Sequence, residues 1–156
     1  MTDQNIQLTK LLDIVREVHE KKLPFNRVLG LKIDSLTTDK VCVKFDMKQE
    51  LIGNFVYGIL HGGVISSVLD ATGGIAATVS ALKRMDDFET DEAAKRISKI
   101  GTIDLRVDYL RPGKGNYFLA TASIMRTGRK VAVTRMELHN DRGSLIAVGT
   151  GTYLVG

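Results

Sequence analysis

The sequence predicts an α+β domain in which a long, curved antiparallel β-sheet wraps around one buried helix, with an additional helix at the N-terminus. Three observations predict it. The segment 62–82 contains 21 residues and one charged side chain, Asp70. Four segments of alternating apolar and polar residues follow it, and an amphipathic helical pattern opens the chain. An antiparallel sheet needs one face covered, and only segment 62–82 is apolar enough to be enclosed by it.

The length of 156 residues is that of a single domain, and 44% hydrophobic with 26% charged residues is an ordinary globular composition. We therefore assign residues 1–156 to one domain, with residues 1–24 as a helical extension. The one cysteine, Cys42, cannot form an internal disulfide, and the first residues are too polar for a signal peptide. The expected location is the cytoplasm. The three histidines and Cys42 do not stand at metal-ligand spacing, so we expect no metal site.

The N-terminal extension is predicted to be a helix over residues 3–22, ended by Pro24. Its apolar residues return every three or four positions, which is typical of a helix with one buried side. They are Ile6, Leu8, Leu11, Leu12, Val15 and Val18. In segment 31–47 the apolar period changes to two, interrupted by the polar residues 37–40, which predicts two strands joined by a hairpin turn.

The segment 62–82 is long enough to cross a membrane, so a membrane span is the alternative to a core helix. A central Asp costs about 2.5–3.5 kcal/mol on an insertion scale, which offsets most of what the Val, Ile and Leu residues contribute. We therefore expect a helix buried within the domain and no membrane span. The charged segment 83–96 is expected to be a surface loop, in part helical.

Four long strands are expected in the rest of the chain. The alternating segments are 102–109, 117–125, 130–139 and 144–154, separated by turns that contain glycine. Short connections favour antiparallel neighbours. Such a sheet leaves one long edge open, and pairing with a second copy across a two-fold axis is the usual remedy. We therefore expect a homodimer.

The start of the buried helix, His61-Gly62-Gly63, carries the first chemical signal. The first turn of a helix has unpaired backbone N–H groups with partial positive charge. Glycine lets a ligand oxygen approach these groups, because it has no Cβ. The segment could therefore stabilise the oxyanion formed when a carbonyl is attacked. The alternative is that the Gly-Gly pair only allows close packing and that His61 bonds to backbone.

Asp70 is the second chemical signal, two turns further along the helix. Burying a carboxylate without a partner is unfavourable, so Asp70 either has a partner or faces a cleft with water and a ligand. In the second case, a carboxylate that can activate water stands near an N–H oxyanion site, which suffices to hydrolyse an activated acyl group. In the first case, Asp70 is a structural anchor bonded to Ser66 or to a strand residue.

The charge of the chain is uneven. Residues 1–98 hold 13 basic and 14 acidic side chains, whereas residues 99–156 hold 9 basic and 4 acidic ones. A basic C-terminal third could attract an anionic ligand, although a solvated strand face explains it as well. Because no aromatic residues alternate with the arginines, we expect no nucleic acid partner.

The motif around the buried helix resembles a known family. Leu51-Ile52-Gly53-Asn54, followed by the segment Ile59 to Asp70, looks like the signature of hotdog-fold acyl-CoA thioesterases of the PaaI-like and YigI-like kind. The resemblance extends from about Gly30 to Val155 and includes the segments 108–113 and 126–133. It implies the hotdog fold, a dimer commonly paired again into a tetramer, and no cofactor other than the coenzyme A of the substrate.

The resemblance also implies roles for single residues. Asp70, nine positions after His61, stands where the family has its nucleophile or general base. The backbone N–H of Gly62 would polarise the thioester carbonyl, and His61 would position the thioester or an upstream asparagine. That asparagine comes six residues before the histidine in many relatives; this chain has Phe55 there, so the candidate is Asn54.

A second departure from the family concerns a hydroxyl residue four positions after the acid, where this chain has Gly74. Thr72 or Thr78 could substitute for it, as could a water. In this family the phosphates of coenzyme A lie near the subunit boundary against strand ends. The candidates for the substrate and coenzyme A contacts are Gly63, Arg111, Arg129 and Lys130.

The sequence thus predicts an acyl-CoA thioesterase, with acyl-CoA as its partner and the acyl chain in an apolar tunnel between the buried helix and the sheet. Two alternatives remain open. One is an acyl-CoA hydratase or dehydratase on the same fold, and the other is a non-catalytic acyl-CoA-binding protein. The sequence leaves the chain length or aryl character of the acyl group undetermined.

Overall fold

The computed structural model of the chain describes residues 3–85 and 90–156. The helices are α1 (Asp3–Glu17), α2 (Pro24–Leu29), α3 (Gly62–Leu82) and α4 (Thr90–Ser98), with a π-helical turn (Val18–Lys22) and a 3-10 turn (Gln49–Leu51). The strands are β1 (Lys32–Leu36), β2 (Lys40–Asp46), β3 (Ile52–Asn54), β4 (Ile59–Leu60), β5 (Gly101–Tyr109), β6 (Tyr117–Thr127), β7 (Val131–Asn140) and β8 (Leu145–Leu154).

Six strands form one antiparallel sheet in the order β1-β2-β6-β7-β8-β5. Helix α3 lies against the strands β2, β6, β7, β8 and β5 of this sheet. The sheet therefore wraps around α3, as the sequence predicted. Apolar side chains of α3 such as Val68 and Leu69 are fully buried, together with Phe45 and Phe118 of the sheet. The two Phe rings stack with their centroids 5.2 Å apart.

The predicted bounds of the buried helix are confirmed, because α3 spans Gly62–Leu82. Among the described helices, α3 has the length and hydropathy of a membrane span, and 61% of its most apolar window is buried in the domain. The hairpin over residues 37–40 is also confirmed, since Thr37 N–H donates to the Lys40 carbonyl (3.0 Å) and β1 pairs with β2.

One local prediction needs correction. The helix expected over residues 3–22 ends as α1 at Glu17, continues as the π-helical turn, and Pro24 then begins α2, where a proline at the first helical position is favourable. The charged segment 83–96 is in part helical, as expected, since α4 begins at Thr90; residues 86–89 of that segment lie outside the described residues. The short β3–β4 hairpin was not predicted.

The strand order, which the sequence left open, does not follow the chain. β5 pairs with β8 and forms one edge of the sheet, while β6 lies between β2 and β7. The burial of the two strands explains this: alternate residues of β6 are buried, whereas most of β5 is exposed. A strand with so many exposed side chains fits an edge position better than a central one.

The other edge of the sheet, β1, is covered by the N-terminal segment. The Arg16 guanidinium donates to the Ile33 carbonyl, and the Glu20 carboxylate accepts from the Ile33 N–H (2.6 Å). These side chains satisfy backbone groups that an edge strand would otherwise leave open. The π-helical turn is thereby fixed against the body of the domain.

Candidate active site

The first turn of α3 has one free backbone N–H. His61 caps the helix, because its Nδ1 accepts from the Gly63 N–H (2.9 Å). The His61 carbonyl accepts from Val64 N–H (3.0 Å) and Ile65 N–H (3.3 Å). Over residues 3–85 and 90–156, the Gly62 N–H has no hydrogen-bond partner. According to the family resemblance, this N–H is the group that would polarise the thioester carbonyl of the substrate.

The glycines around His61 serve different purposes. A Cβ on Gly53 would lie 2.5 Å from His61 Cα, so close packing requires glycine there. A Cβ on Gly63 would lie 3.0 Å from the capping Nδ1. At Gly62, however, the nearest atom would be a Tyr109 ring carbon at 3.5 Å, an ordinary contact. Packing therefore does not explain Gly62, which favours the anion-binding interpretation of this position.

Asp70 has partners on one oxygen only. Its Oδ1 accepts from the Thr102 hydroxyl (2.8 Å) and from the Tyr153 hydroxyl (3.3 Å), which also lies 3.0 Å from the Asp70 carbonyl. Its Oδ2 makes no hydrogen bond to any residue that the structure describes. Ser66, the anchor considered from the sequence, donates instead to the Gly63 carbonyl. Asp70 is thus anchored by strand residues and still presents an unpaired oxygen.

Tyr153 remains a donor to Asp70. Burial raises the pKa of Tyr153, and the negative charge and hydrogen bond of Asp70 raise it further, while a hydrogen bond with Thr134 acts in the opposite direction. The phenol is therefore protonated at neutral pH. Its buried position depends on Gly151, where a Cβ would lie 2.7 Å from the hydroxyl oxygen.

A bulge in β5 brings Thr102 to Asp70. In the pairing with β8, Thr102 stands opposite Tyr153 and Asp104 opposite Thr152, so Ile103 is an extra residue. The extra residue reverses the alternation, and Thr102 therefore faces α3 on the same side as Leu105, which packs on the core. Sequence reasoning missed both Thr102 and Tyr153. The sequence alternates without interruption from Thr102 to Tyr109, so it carried no signal for the bulge or for the contact of Thr102 with Asp70.

The Asp70 carboxylate borders a cavity of about 200 Å³. The cavity lies between α3, the β5–β8 edge and the helical segments around α2 and α4, rather than between α3 and the sheet. Much of its wall is apolar. The apolar side chains are Val18, Leu23, Ala71, Ile97 and Ile100, and the polar ones besides Asp70 are His19, Asn26, Thr78, Thr102 and Tyr153.

A second cavity of about 410 Å³ lies at the start of α3, where His61, Gly63 and Ser67 line it together with Phe25 and Val28 of α2. Gly62 and Asp70 are eight residues apart, which corresponds to about 12 Å along a helix. A single chain therefore keeps the free N–H of Gly62 well apart from the free carboxylate oxygen of Asp70.

The structure places the remaining polar candidates as follows. Asn54 Oδ1 accepts from the N–H groups of Val56 (3.1 Å) and Tyr57 (3.2 Å) and so holds the turn between β3 and β4. The hydroxyls of Thr72 and Thr78 donate to carbonyls of α3 itself. The hydroxyls at the Asp70 carboxylate are instead those of Thr102 and Tyr153.

The three basic candidates are not brought together in one chain. Arg111 donates to the Leu145 carbonyl (2.9 Å), close to the start of α3, where Leu60 N–H donates to Gly113. Arg129 and Lys130 are exposed in the turn between β6 and β7, and that turn contacts the end of α3. Arg111 therefore lies near the start of α3, and Arg129 and Lys130 lie near its end. A helix of 21 residues is about 30 Å long, so these candidates are far apart in one chain.

Comparison with known proteins gives a consistent result. The family model of the thioesterase superfamily matches residues 57–147. The chain is 47% identical to the medium/long-chain acyl-CoA thioesterase YigI of Salmonella typhimurium over 93% of this chain and 94% of that protein, and 46% identical to YigI of Escherichia coli K12 with the same coverage.

Solved structures agree. A protein from Shewanella oneidensis related to the thioesterase superfamily has a TM-score of 0.91 and 49% identity, covering 97% of this chain and 98% of that one. The PaaI protein of E. coli has a TM-score of 0.77 with 19% identity and 96% coverage of both chains, which shows the shared fold. The helix-wrapping sheet, the sequence match and the identities together establish that this chain belongs to the thioesterase superfamily, a family of thioester-hydrolysing enzymes with the hotdog fold.

Proposed function

We propose that the protein hydrolyses acyl-CoA in an active site formed by two subunits, with Asp70 of one subunit as general base and the Gly62 N–H of the other as the oxyanion donor. The observation that carries the proposal is the pair of unsatisfied groups: the free N–H at the start of α3 and the free Oδ2 of Asp70. The names of the 46–47% identical relatives support acyl-CoA as the substrate.

The distance between these groups requires a second subunit. The donor has to reach the carbonyl oxygen, and the base has to reach the attacking water, each at hydrogen-bond distance, while that water stands about 3–3.5 Å from the carbonyl carbon. The separation of about 12 Å along α3 excludes this within one helix. Two copies of the chain must therefore contribute one group each.

The edge strand β5 supports such a pairing. Thr102, near its start, contacts Asp70, and the Tyr109 hydroxyl, at its end, donates to the Gly62 carbonyl (3.1 Å). When two copies of β5 pair antiparallel about a two-fold axis, the start of one strand lies beside the end of the other. Gly62 of one subunit then approaches Asp70 of the partner subunit. Exposed apolar side chains at Ile103, Tyr109 and Leu154 would become covered.

The reaction follows from these positions. Water beside Asp70 loses a proton to the carboxylate as its oxygen bonds to the thioester carbon. The charge that develops on the carbonyl oxygen is stabilised by the Gly62 N–H and the positive end of the α3 dipole. Collapse of the intermediate breaks the C–S bond, and the proton on Asp70 passes to the thiolate, giving a carboxylic acid and coenzyme A.

The cavity beside Asp70 is the proposed acyl site. At about 200 Å³ it is smaller than pockets that enclose a whole drug-sized ligand, about 300–1,000 Å³, and its wall is largely apolar. It therefore suits the acyl portion of a substrate and leaves coenzyme A at the subunit boundary. The proposed phosphate contacts are Arg111, Arg129 and Lys130. They lie far apart in one chain, so we propose that the coenzyme A phosphates contact basic residues of both subunits. Medium or long acyl chains are the proposed preference, as in the named relatives.

The deciding experiment measures thiol release from acyl-CoA of increasing chain length. Wild type should release thiol, and D70N, which keeps an oxygen for Thr102 but loses the base, should lower kcat by at least about a hundredfold. D34N, at an exposed position of β1, is the matched control and should behave as wild type. Tight binding without thiol release would indicate a binding protein, and hydration of an unsaturated acyl-CoA would indicate a hydratase.

A further inference from the structure

The wall of the Asp70 cavity contains a π-helical turn whose role the proposed reaction does not use. Leu23 N–H donates to the Val18 carbonyl (3.1 Å), a spacing of five residues, and the turn places Val18 and His19 in the wall. Turns of this kind are rare and are frequent at functional sites. The segment precedes residues 57–147, so the match to the family assigns it no role.

The backbone on both sides of His19 is held in place. Arg16 and Glu20 bond to the carbonyl and N–H of Ile33, as described above. Asn26, 6% exposed, donates from Nδ2 to the His19 carbonyl (3.0 Å). The main chain is therefore fixed, and the side chain of His19 is the part left without an obvious structural purpose.

The Nδ1 atom of His19 is buried and has no hydrogen-bond partner among the described residues. Burial lowers the pKa of His19 to about 4, so the ring is neutral at neutral pH and offers one donor and one acceptor. Leaving a buried polar atom unpaired costs about 1–3 kcal/mol, and such an atom calls for a water or a ligand. Two other described side chains, Arg96 and Asp141, hold a buried unpaired atom, but neither lines this cavity.

We propose that His19 positions the water that attacks the thioester, with its Nδ1 accepting one hydrogen of that water while Oδ2 of Asp70 takes the other. This inference rests on the proposed hydrolase function. A buried water needs two to four polar partners, and the cavity wall supplies His19, Asp70 and Thr102. With both hydrogens held, a lone pair of the water oxygen is left for the thioester carbon.

His19 keeps its own protons throughout this step. The proton lost by water goes to Asp70, the new C–O bond forms, and the C–S bond breaks later. A neutral acceptor is suited to this purpose, because a second carboxylate beside Asp70 would add repulsion and a cation would hold the carboxylate in an ion pair. Thr102 donates to Oδ1, which keeps Oδ2 directed to the water.

The test compares three substitutions at His19. Asn places an amide oxygen where Nδ1 stands, Gln places one nearer Nε2, and Leu fills the space without a hydrogen-bonding atom. H19N should keep most of the wild-type kcat, whereas H19L and H19Q should lower it about ten- to hundredfold, because a misplaced reactant costs that much. KM should change less than kcat in all three, since His19 is one of many residues in the wall of the proposed acyl site, whereas the proposed water depends on it directly.

Stability separates this role from a structural one. H19L removes an unpaired buried polar atom, so its Tm should equal or exceed that of wild type while its kcat falls. H139N is the control, because His139 of β7 is part-exposed, 3.9 Å from Glu137, and lines no part of the cavity.

Wild-type kcat in H19L overturns the inference, and so does an equal loss of kcat in H19N and H19L with a lowered Tm in both. Absence of thiol release by wild type and H139N overturns the proposed function, and this inference with it. An active wild type with a fully active H19L overturns only the role of His19.

Discussion

His61 decides which backbone group of α3 is available to a ligand. Its ring takes the Gly63 N–H and its carbonyl takes the next two, so the Gly62 N–H alone stays free in that turn of the described chain. Gly62 follows His61 directly, and the His61 backbone is extended, with φ −64° and ψ 136°. This backbone geometry allows a proline at position 62, and such a substitution tests the role of the Gly62 N–H.

We expect G62P to remove the N–H without breaking the helix. Proline is favoured at the first helical position, and the extended backbone of His61 is the one that a residue before proline adopts. Loss of one oxyanion donor should lower kcat about a hundred- to thousandfold. Thiol release measures the effect, with circular dichroism as the check on folding.

G62A is the companion variant, because it keeps the N–H and its Cβ would lie 3.5 Å from the Tyr109 ring. It should lose far less activity than G62P. Equal activity of G62P and wild type would remove Gly62 from the mechanism.

His19 gives a second prediction at this scale, on stability. Burial lowers the pKa of His19 from 6.5 to about 4. Between these values the unfolded chain binds a proton that the folded chain does not, so the free energy of unfolding falls as the pH falls from 6.5 to 4, by about 3 kcal/mol at most. Above pH 6.5 the contribution is fully present.

Urea denaturation of wild type and H19N at pH 7 and pH 4.5, at one protein concentration, measures this difference. Carboxylates titrate in both proteins, so the difference between the two variants isolates His19. A wild-type protein that loses no more stability than H19N on acidification would contradict the prediction.

At the scale of elements, the two sides of α3 differ in how much space they leave for a side chain. One packs on the sheet, and the other carries small and polar residues that border the cavities. Adjacent glycines show the contrast. A Cβ on Gly73 would meet the Tyr153 hydroxyl and lie 2.9 Å from Thr134 Oγ1, whereas a Cβ on Gly74 would have its nearest contact at 3.7 Å, a ring carbon of Tyr153.

We therefore expect opposite effects from the same substitution at neighbouring positions. G73A should lower the free energy of unfolding by about 1–3 kcal/mol, because the added methyl overpacks the core. G74A should raise it by about 0.5–1 kcal/mol through helix propensity. Chemical denaturation of both variants checks the signs, and a stabilised G73A would show that Tyr153 is not confined as described.

At the scale of the whole molecule, the separation of Gly62 from Asp70 makes activity depend on assembly. G62P and D70N each disable both sites of their own homodimer if the site is shared. A heterodimer of the two variants, however, combines an intact Gly62 from one chain with an intact Asp70 from the other. One of its two sites is then complete.

Co-expression with two different affinity tags allows the heterodimer to be isolated. It should show about half of the wild-type rate, although each parent is nearly inactive. A heterodimer as inactive as its parents would place both groups in one chain and reject the shared site. Light scattering would show in the same samples whether the dimer pairs again into a tetramer.

The sequence by itself determined the bounds of α3, the four long strands and the two chemically distinct positions, Gly62 and Asp70. These follow from local physics, since hydrophobic periodicity and the unpaired N–H groups of a helix start depend on neighbouring residues. Tertiary structure decided what surrounds them. Thr102 and Tyr153 reach Asp70 from 32 and 83 positions away, through a bulge and a strand order that depend on long-range pairing. His19 enters the cavity wall for the same reason, because packing of the N-terminal segment on β1, rather than any local pattern, places it beside the carboxylate.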